Sequence, residues 1–179
     1  MVRKLPKILT QEEFEKIFSH TLKTKKKNRK QYALAMLLGF EAGMRISEIV
    51  GYKDKFPRLN KEMVNLEQNT IRVRGKGMGK GTDRVVPLPK RFKQPHLSLL
   101  PIKLSRRSLQ WYITELGKKV LNKHITFHTL RHGFGSHLAG EGRPIHEIQM
   151  LMGHARLDTT GIYLHANPKK AIEGARDVF

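Results

Sequence analysis

Two short segments of alternating polarity, on either side of a run of glycines, limit this chain to a mainly helical fold with one small sheet. Residues 70–74 and 83–88 alternate with a period of two, and the glycine-rich segment 75–81 lies between them. Two strands joined by such a turn form a β-hairpin. Because the other apolar residues recur mostly at helical spacing, we predict an α+β fold, mainly α with a small antiparallel β-sheet.

Capping residues mark the expected helix ends. Thr10 followed by Glu13 forms a capping-box pattern, which predicts a helix to about residue 22 with Phe14, Ile17 and Phe18 on its apolar face. Further helices are expected over residues 31–42, over 45–50 after an interruption at Gly43, from Ser105 to about residue 120, from Thr126 onward with breaks at 140–144 and 153, and over 167–179.

The composition fits one cytoplasmic domain. The chain has 179 residues and 39% hydrophobic content, enough for a single core. It has no cysteine, which excludes disulfides and cysteine-bound metal, and no apolar run long enough to span a bilayer. The first residues lack the apolar core of a signal peptide.

The charge of the chain indicates a polyanionic partner. Thirty-five Lys and Arg residues face fifteen Asp and Glu residues, for a formal net charge of +20, which favours nucleic acid. An anionic membrane is disfavoured, because no long helix combines a basic face with a bulky apolar one. Charge alone leaves open a sequence-specific enzyme, a general nucleic-acid binder of the ribosomal type, or surface charge with no specific partner.

One helix face carries residue types suited to binding phosphate. Helical winding places His128, Arg131, His132 and Gly135 on one side. The adjoining face is apolar, with Leu130, Phe134 and Leu138. One side can therefore pack into a core while the other presents histidine and arginine across a glycine. Taken alone, an ordinary polar helix face explains the same residues.

Other polar residues also have ordinary explanations when they are taken singly. Arg45 can pair with Glu48, or Glu48 can be a plain surface carboxylate. His154 after Gly153 fits a helix cap, and a lone tyrosine such as Tyr163 is usually a core or rim residue.

Six separated elements nevertheless follow one another in a specific order. They are Gly43-Met44-Arg45-Ile46-Ser47-Glu48-Ile49, Gly75-Lys76-Gly77, Val85-Val86-Pro87-Leu88, His128-Thr129-Leu130-Arg131-His132, Met152-Gly153-His154 and Tyr163. In order and in most spacings this set closely resembles the catalytic domain of the tyrosine recombinases (lambda-integrase, Xer-like). The resemblance runs from about residue 5 to about residue 166, nearly the whole chain.

The resemblance implies a site-specific DNA recombinase, or integrase, that cleaves and religates DNA through a covalent 3′-phosphotyrosyl intermediate, with no cofactor and no metal. The implied catalytic residues are Tyr163 as nucleophile, Arg45 and Arg131 as clamps of the phosphate oxygens, His128 and His154 as hydrogen-bond donors or proton carriers, and Lys76 as the acid for the leaving 5′ oxygen. Lys80 is the alternative acid, and Lys80, Arg72, Arg74 and His132 are expected to contact DNA.

The chemistry of phosphodiester exchange supports this division of roles independently. Attack on phosphorus builds negative charge on the phosphate oxygens, and a guanidinium stays charged while donating two parallel bonds. A tyrosine hydroxyl has a pKa of about 10, so its proton must pass to a neighbour, and histidine is the natural carrier near pH 7.

Other functions fit less of the sequence. A metal-dependent nuclease needs clustered carboxylates, whereas the aspartates Asp54, Asp83, Asp158 and Asp177 are isolated. A type IB topoisomerase-like DNA relaxing enzyme and a non-catalytic nucleic-acid-binding protein with this fold stay open as alternatives.

The resemblance also bears on domain organisation. Residues 1–179 are expected to form a single C-terminal catalytic domain, with the family's N-terminal core-binding domain absent. The stretch from Arg45 to Lys76 is longer than the family usually shows, which predicts a surface loop over 51–59 that alters DNA contacts. Residues 167–179 resemble a C-terminal segment that often packs on a neighbouring protomer, or fold back in cis. A homo-oligomer, dimer or tetramer, is expected on double-stranded DNA.

Overall fold

A computed structural model of the chain describes residues 8–53, 57–73 and 83–153. The helices of these residues are α1 (Gln11–Lys23), α2 (Arg29–Glu41), α3 (Ile46–Val50), α4 (Arg106–Leu121), α5 (Phe127–Gly140) and α6 (Ile145–Met152). The strands are β1 (Val64–Asn65), β2 (Thr70–Val73) and β3 (Arg84–Pro87), and short 3₁₀ helices cover Lys61–Met63 and Gln94–Leu99. The predicted fold class, mainly helical with a small antiparallel sheet, is confirmed.

Helix α2 forms the centre of the fold. Every residue from Tyr32 to Phe40 is buried, as expected for a helix that is apolar on all sides. Helix α1 packs on it through Phe14, whose ring stacks on that of Phe40 with centroids 4.0 Å apart. Helix α4 packs nearby, where the Tyr32 and Tyr112 rings stack at 4.0 Å. Helix α5 packs closely against α2, and this contact places the polar residues of α5 near α3.

The three strands form one antiparallel sheet in the order β1-β2-β3. Ile71 pairs with Val86 and Val73 with Arg84, so these four side chains lie on the buried face. The β2–β3 pairing agrees with the predicted hairpin, whose turn, with Arg74, Lys76 and Lys80, lies outside the described residues. Strand β1 was not predicted, because two residues are too few to show a period.

The predicted helix starts are confirmed by their caps. The backbone N–H of Glu13 donates to Thr10 Oγ1 and that of Thr10 to Glu13 Oε2, each at 3.2 Å, which completes the capping box. Ser105 caps α4 as predicted. Thr126 caps α5, which begins where the helix was expected. Helices α2 and α3 begin and end within two residues of the predicted bounds. The 3₁₀ helix Gln94–Leu99 was not predicted, and the helix predicted over 167–179 lies outside the described residues.

Within the described ranges, the helices are too short or too polar to cross a membrane.

Gly43 makes the sharp connection between α2 and α3. Its φ of +62° lies in the left-handed region, where an L side chain is strained. A Cβ added there would lie 2.4 Å from Phe134 Cδ1, on α5. Gly43 is therefore needed both for its backbone conformation and for the close approach of α5.

We predict that Gly43→Ala lowers the free energy of unfolding by about 3 kcal/mol, because strain in φ adds to overpacking against Phe134. Urea denaturation followed by circular dichroism measures the change. Gly140→Ala, in α5, is the matched control, since an added Cβ there would meet no atom within 4 Å. It is expected to change stability by less than about 1 kcal/mol. Equal losses in the two variants would contradict this account of Gly43.

Candidate phosphate-binding site

The buried carboxylate of Glu48, in α3, is bound by two arginines. Arg45, which precedes α3, donates to it twice, from its backbone N–H to Oε2 at 2.6 Å and from Nη1 to Oε1 at 2.8 Å. Arg84, on the buried face of β3, donates from Nη1 to Oε1 at 2.7 Å and from Nη2 to Oε2 at 2.9 Å. Burial raises the pKa of Glu48, but the hydrogen bonds and charge of Arg84, with those of Arg45, lower it overall. Glu48 is thus a buried ion-pair partner and not a surface carboxylate.

Arg84 was missed by the sequence analysis, although the sequence contained a clue. Arg84 is two residues from Val86, so in a strand the two side chains lie on the same face. A core-facing Val86 therefore places Arg84 inside, where a guanidinium needs a buried acid. What the sequence does not show is which acid, because Glu48 is 36 residues away.

Three arginines bind three successive carbonyl oxygens at the end of α6. Arg84 Nε donates to Leu151 O at 2.9 Å, Arg131 Nη2 to Met152 O, and Arg45 Nη2 to Gly153 O at 3.0 Å. The last carbonyls of a helix have no partner within the helix, and this end carries partial negative charge. We call Arg45, Arg84 and Arg131 the arginine cluster; it fixes the point at which the chain leaves α6.

Gly153 is suited to this position by its lack of a side chain. Its φ of +58° is left-handed, and an added Cβ would lie 2.9 Å from Arg84 Cδ. The next residue is His154, so the cluster determines where the chain toward His154 begins.

Arg131 joins α5 to the same cluster. Its side chain is buried, and Nη1 donates to Gly43 O while Nη2 reaches α6. One guanidinium thus ties the α2–α3 connection to the end of α6.

Arg45, His128 and Arg131 line a cavity of about 330 Å³, which we call the site cavity. Its wall also includes Ser47 and Arg106, and none of the described residues that line it is acidic. Two fixed guanidiniums beside an imidazole form a site for a phosphate group.

Two of the three histidines of α5, His128 and His132, lie beside the arginines and are mainly neutral at pH 7. Desolvation, with the charges of Arg131 and Arg45, lowers the pKa of His128. Desolvation, with His128 and Arg131, lowers the pKa of His132 to about 4. Their rings meet edge to face with centroids 5.2 Å apart. At pH 7 the imidazole of His128 can therefore accept a proton beside the two arginines.

The structure brings together Arg45, His128 and Arg131 of the predicted catalytic residues. The other three, Lys76, His154 and Tyr163, lie outside the described residues, as do Arg74 and Lys80. Of the other predicted DNA contacts, His132 lies beside His128, and Arg72 lies exposed on β2 with Nη2 3.7 Å from Asp83 Oδ2. Among residues 8–53, 57–73 and 83–153, no three His, Asp or Glu side chains are placed to hold a metal ion.

The sequence has recognisable relatives. The profile of the Phage integrase family matches residues 91–170. Tyrosine recombinase XerA of Thermococcus kodakarensis is 37% identical over 180 residues, which is 90% of this chain and 58% of the relative. The chain spans 58% to 64% of the length of this and three further curated relatives that it matches.

Solved structures resemble the fold over most of the chain. XerH site-specific recombinase, bound to a palindromic difH substrate in a post-cleavage complex, is 26% identical with a TM-score of 0.72, covering 96% of this chain and 53% of that one. The catalytic domain of bacteriophage HP1 integrase has a TM-score of 0.62 and 19% identity, covering 94% of this chain and 93% of that one, and shows the fold alone.

We predict that Arg84→Met destabilises the protein by about 3 kcal/mol, because it removes a bidentate partner from the buried Glu48 carboxylate. Urea denaturation measures the loss. Arg72→Met is the matched control: its side chain is 69% exposed on the neighbouring strand, and we expect a change below about 0.5 kcal/mol. If Arg84→Met is as mild as the control, the ion pair with Glu48 does not support the fold.

We also predict that acid destabilises the protein through His132. Its folded pKa of about 4 lies below the ordinary 6.5, so the unfolded chain binds more protons between these values. This contribution to stability is complete above pH 6.5 and is lost as the pH falls toward 4. The free energy of unfolding should decrease by ~1–2 kcal/mol between pH 7 and pH 5 on account of His132. His132→Gln should reduce that decrease, whereas His124→Gln, at an exposed histidine, should not. Identical pH dependence in all three proteins would refute the prediction.

Proposed function

We propose that this chain, which belongs to the phage integrase family of tyrosine recombinases, cleaves and rejoins DNA through a covalent bond between Tyr163 and a 3′ phosphate. The observation that carries the proposal is the pairing of Arg45 and Arg131 beside His128 in a cavity whose described lining has no acid. Relatives of this chain are named tyrosine recombinases, and the XerH structure is a post-cleavage complex with a palindromic difH substrate.

The two arginines are suited to hold the scissile phosphate. Each is fixed by protein contacts, Arg45 by Glu48 and Gly153, and Arg131 by Gly43 and Met152. Their orientation is therefore set before DNA binds, and little rearrangement is needed as charge develops on the phosphate oxygens. Their two guanidiniums would bind the two non-bridging oxygens of that phosphate.

The reaction would exchange one phosphodiester for another. The Tyr163 oxygen attacks phosphorus, a bond from tyrosine to the 3′ phosphate forms, and the bond from phosphorus to the 5′ oxygen breaks. The tyrosine proton passes to a neighbouring base, and the leaving 5′ oxygen receives a proton from Lys76 or Lys80. A free 5′ hydroxyl then attacks the phosphotyrosine and restores the DNA backbone. The bond energy is conserved, so no nucleotide cofactor is required.

His128 and His154 would serve as proton carriers or hydrogen-bond donors. The lowered pKa of His128 makes it a base at neutral pH. Support for His154 comes from its sequence position, since it follows Gly153, whose carbonyl accepts from Arg45.

The substrate would be double-stranded DNA, and a homo-oligomer would exchange strands between two DNA sites. The net charge of +20 favours attraction to the DNA backbone, and this attraction would weaken as salt is raised. We propose that residues 1–179 form a catalytic domain and that the enzyme acts in the cytoplasm as a dimer or tetramer on DNA. We also propose that residues 167–179 contact a neighbouring protomer.

We predict that the wild-type protein forms a covalent DNA adduct in excess chelator. The probe is a pool of duplexes of random sequence, each carrying a nick so that the cleaved end diffuses away. Denaturing electrophoresis isolates the adduct, and mass spectrometry of the digested adduct locates the modified residue, which we expect to be Tyr163.

Substitutions at three residues test which side chains take part in adduct formation. Tyr163→Phe should give no adduct, and Arg131→Gln should reduce its rate by about 100-fold or more, because a preorganised donor to the developing charge is lost. Tyr32→Phe, at a tyrosine buried between α2 and α4, should retain the reaction. Adduct formation by Tyr163→Phe, or only after metal is added, would refute the mechanism. Relaxation of supercoils without strand exchange would refute assignment as a recombinase.

A further inference from the structure

We infer that Arg106, held against the ring of Tyr52, binds a second DNA phosphate beside the scissile one. The inference rests on the proposed function for the identity of the ligand as DNA. It concerns a residue that lines the site cavity but has no role in the mechanism above.

The position of Arg106 follows from contacts with two neighbouring elements. It is the first residue of α4, and it lines the cavity together with Arg45 and Arg131. Its Cζ lies 4.4 Å from the centroid of the Tyr52 ring, a distance at which cation–π attraction restrains a guanidinium. The guanidinium is thus restrained by a ring, which leaves its N–H groups available at the guanidinium edge.

Helix α4 is also fixed relative to the catalytic helix. The Gln110 side chain, one turn after Arg106, accepts a hydrogen bond from the backbone N–H of Phe127 at 3.2 Å. Phe127 is the first residue of α5 and precedes His128. Because one amide joins the starts of the two helices, Arg106 keeps a constant place relative to His128 and Arg131.

The charge of the first turn of α4 is unfavourable to the helix itself. Arg106 and Arg107 lie at the N-terminal end, where partial positive charge favours acidic residues, and this turn has none. Both side chains are exposed, and within the described part of the chain neither is seen in an ion pair. A phosphate beside Arg106 would supply the missing negative charge.

Among the described residues that line the cavity, three are arginines, and two of them are assigned to the scissile phosphate. Arg45 and Arg131 would hold that phosphate, and Arg106 is the third arginine of the lining. Successive phosphates along one DNA strand are each charged, so a phosphate adjacent to the bound one meets the next cation. Phosphate contacts of this kind set the register of a protein on DNA.

The loop after α3 provides Tyr52. This loop is the segment expected to be longer than in the family and to alter DNA contacts. Lys53, the next residue, places its Nζ 5.7 Å from the same ring. This loop thus places an aromatic ring beside Arg106 and a second cation beside the same ring.

The test uses two small probes that need no cleavage and no particular DNA sequence. Thymidine 3′-monophosphate carries one phosphate, and thymidine 3′,5′-bisphosphate carries two on one nucleoside. Dissociation constants are measured at low salt by NMR titration of the full chain. We expect the wild type to bind the bisphosphate about tenfold more tightly than the monophosphate, since a second charge-assisted contact forms within one complex.

Arg106→Gln should lose this tenfold preference, and Tyr52→Leu should lose part of it. Arg107→Gln is the matched control, because it removes the same charge from the same helical turn but not from the cavity lining. Arg107→Gln should retain the preference. Circular dichroism checks that each variant is folded.

The inference is overturned if the wild type shows no preference for the bisphosphate, or if Arg106→Gln and Arg107→Gln lose it equally. The Tyr163→Phe protein should show the same preference as the wild type, because no step of the titration uses the nucleophile. A missing covalent adduct with an intact preference would refute the proposed function but not the second phosphate site. A normal covalent adduct without a preference for the bisphosphate would refute the second phosphate site but not the proposed function.

Discussion

The arrangement of this site depends on one buried carboxylate. Glu48 accepts hydrogen bonds from Arg45 and Arg84 in a place where an unpaired charge is expensive. Without it, two guanidiniums would lie close together with no counter-charge. With it, both are oriented, and each donates onward to a carbonyl at the end of α6. The same ion pair therefore helps to hold the fold together and orients the arginine that we propose binds the scissile phosphate.

The arginines that pair with Glu48 also position the end of helix α6. Helix α6 has eight residues, and within the described part of the chain its buried apolar residues, Ile148 and Met152, form a small cluster with Phe134. The arginine cluster binds the final carbonyls individually, and this geometry fixes the exit toward His154. The position of this helix end is therefore set by polar contacts to backbone as well as by the hydrophobic core.

The parts of the structure that were predictable are those encoded locally. The helix starts at Thr10, Ser105 and Thr126 could be predicted, because each of these side chains accepts a hydrogen bond from a backbone N–H three residues later. Arg45, His128 and Arg131 were found by resemblance and lie together in the structure. The sequence analysis assigned no role to Arg84 or Arg106, because their partners are distant in sequence. Glu48 is 36 residues from Arg84, and the Tyr52 ring that contacts Arg106 lies in the loop after α3. Tertiary contacts of this kind leave no periodic pattern.

Amide hydrogen exchange tests the role of Glu48 most directly. In Glu48→Gln the neutral side chain cannot balance the arginines, so the hold on the end of α6 should weaken. The account predicts that the amides of residues 149–153 lose protection by about tenfold or more while those of α2 keep more of theirs, because local opening is separate from global unfolding. Unchanged protection in α6, or an equal loss in α2 and α6, would show that the carboxylate does not organise the site.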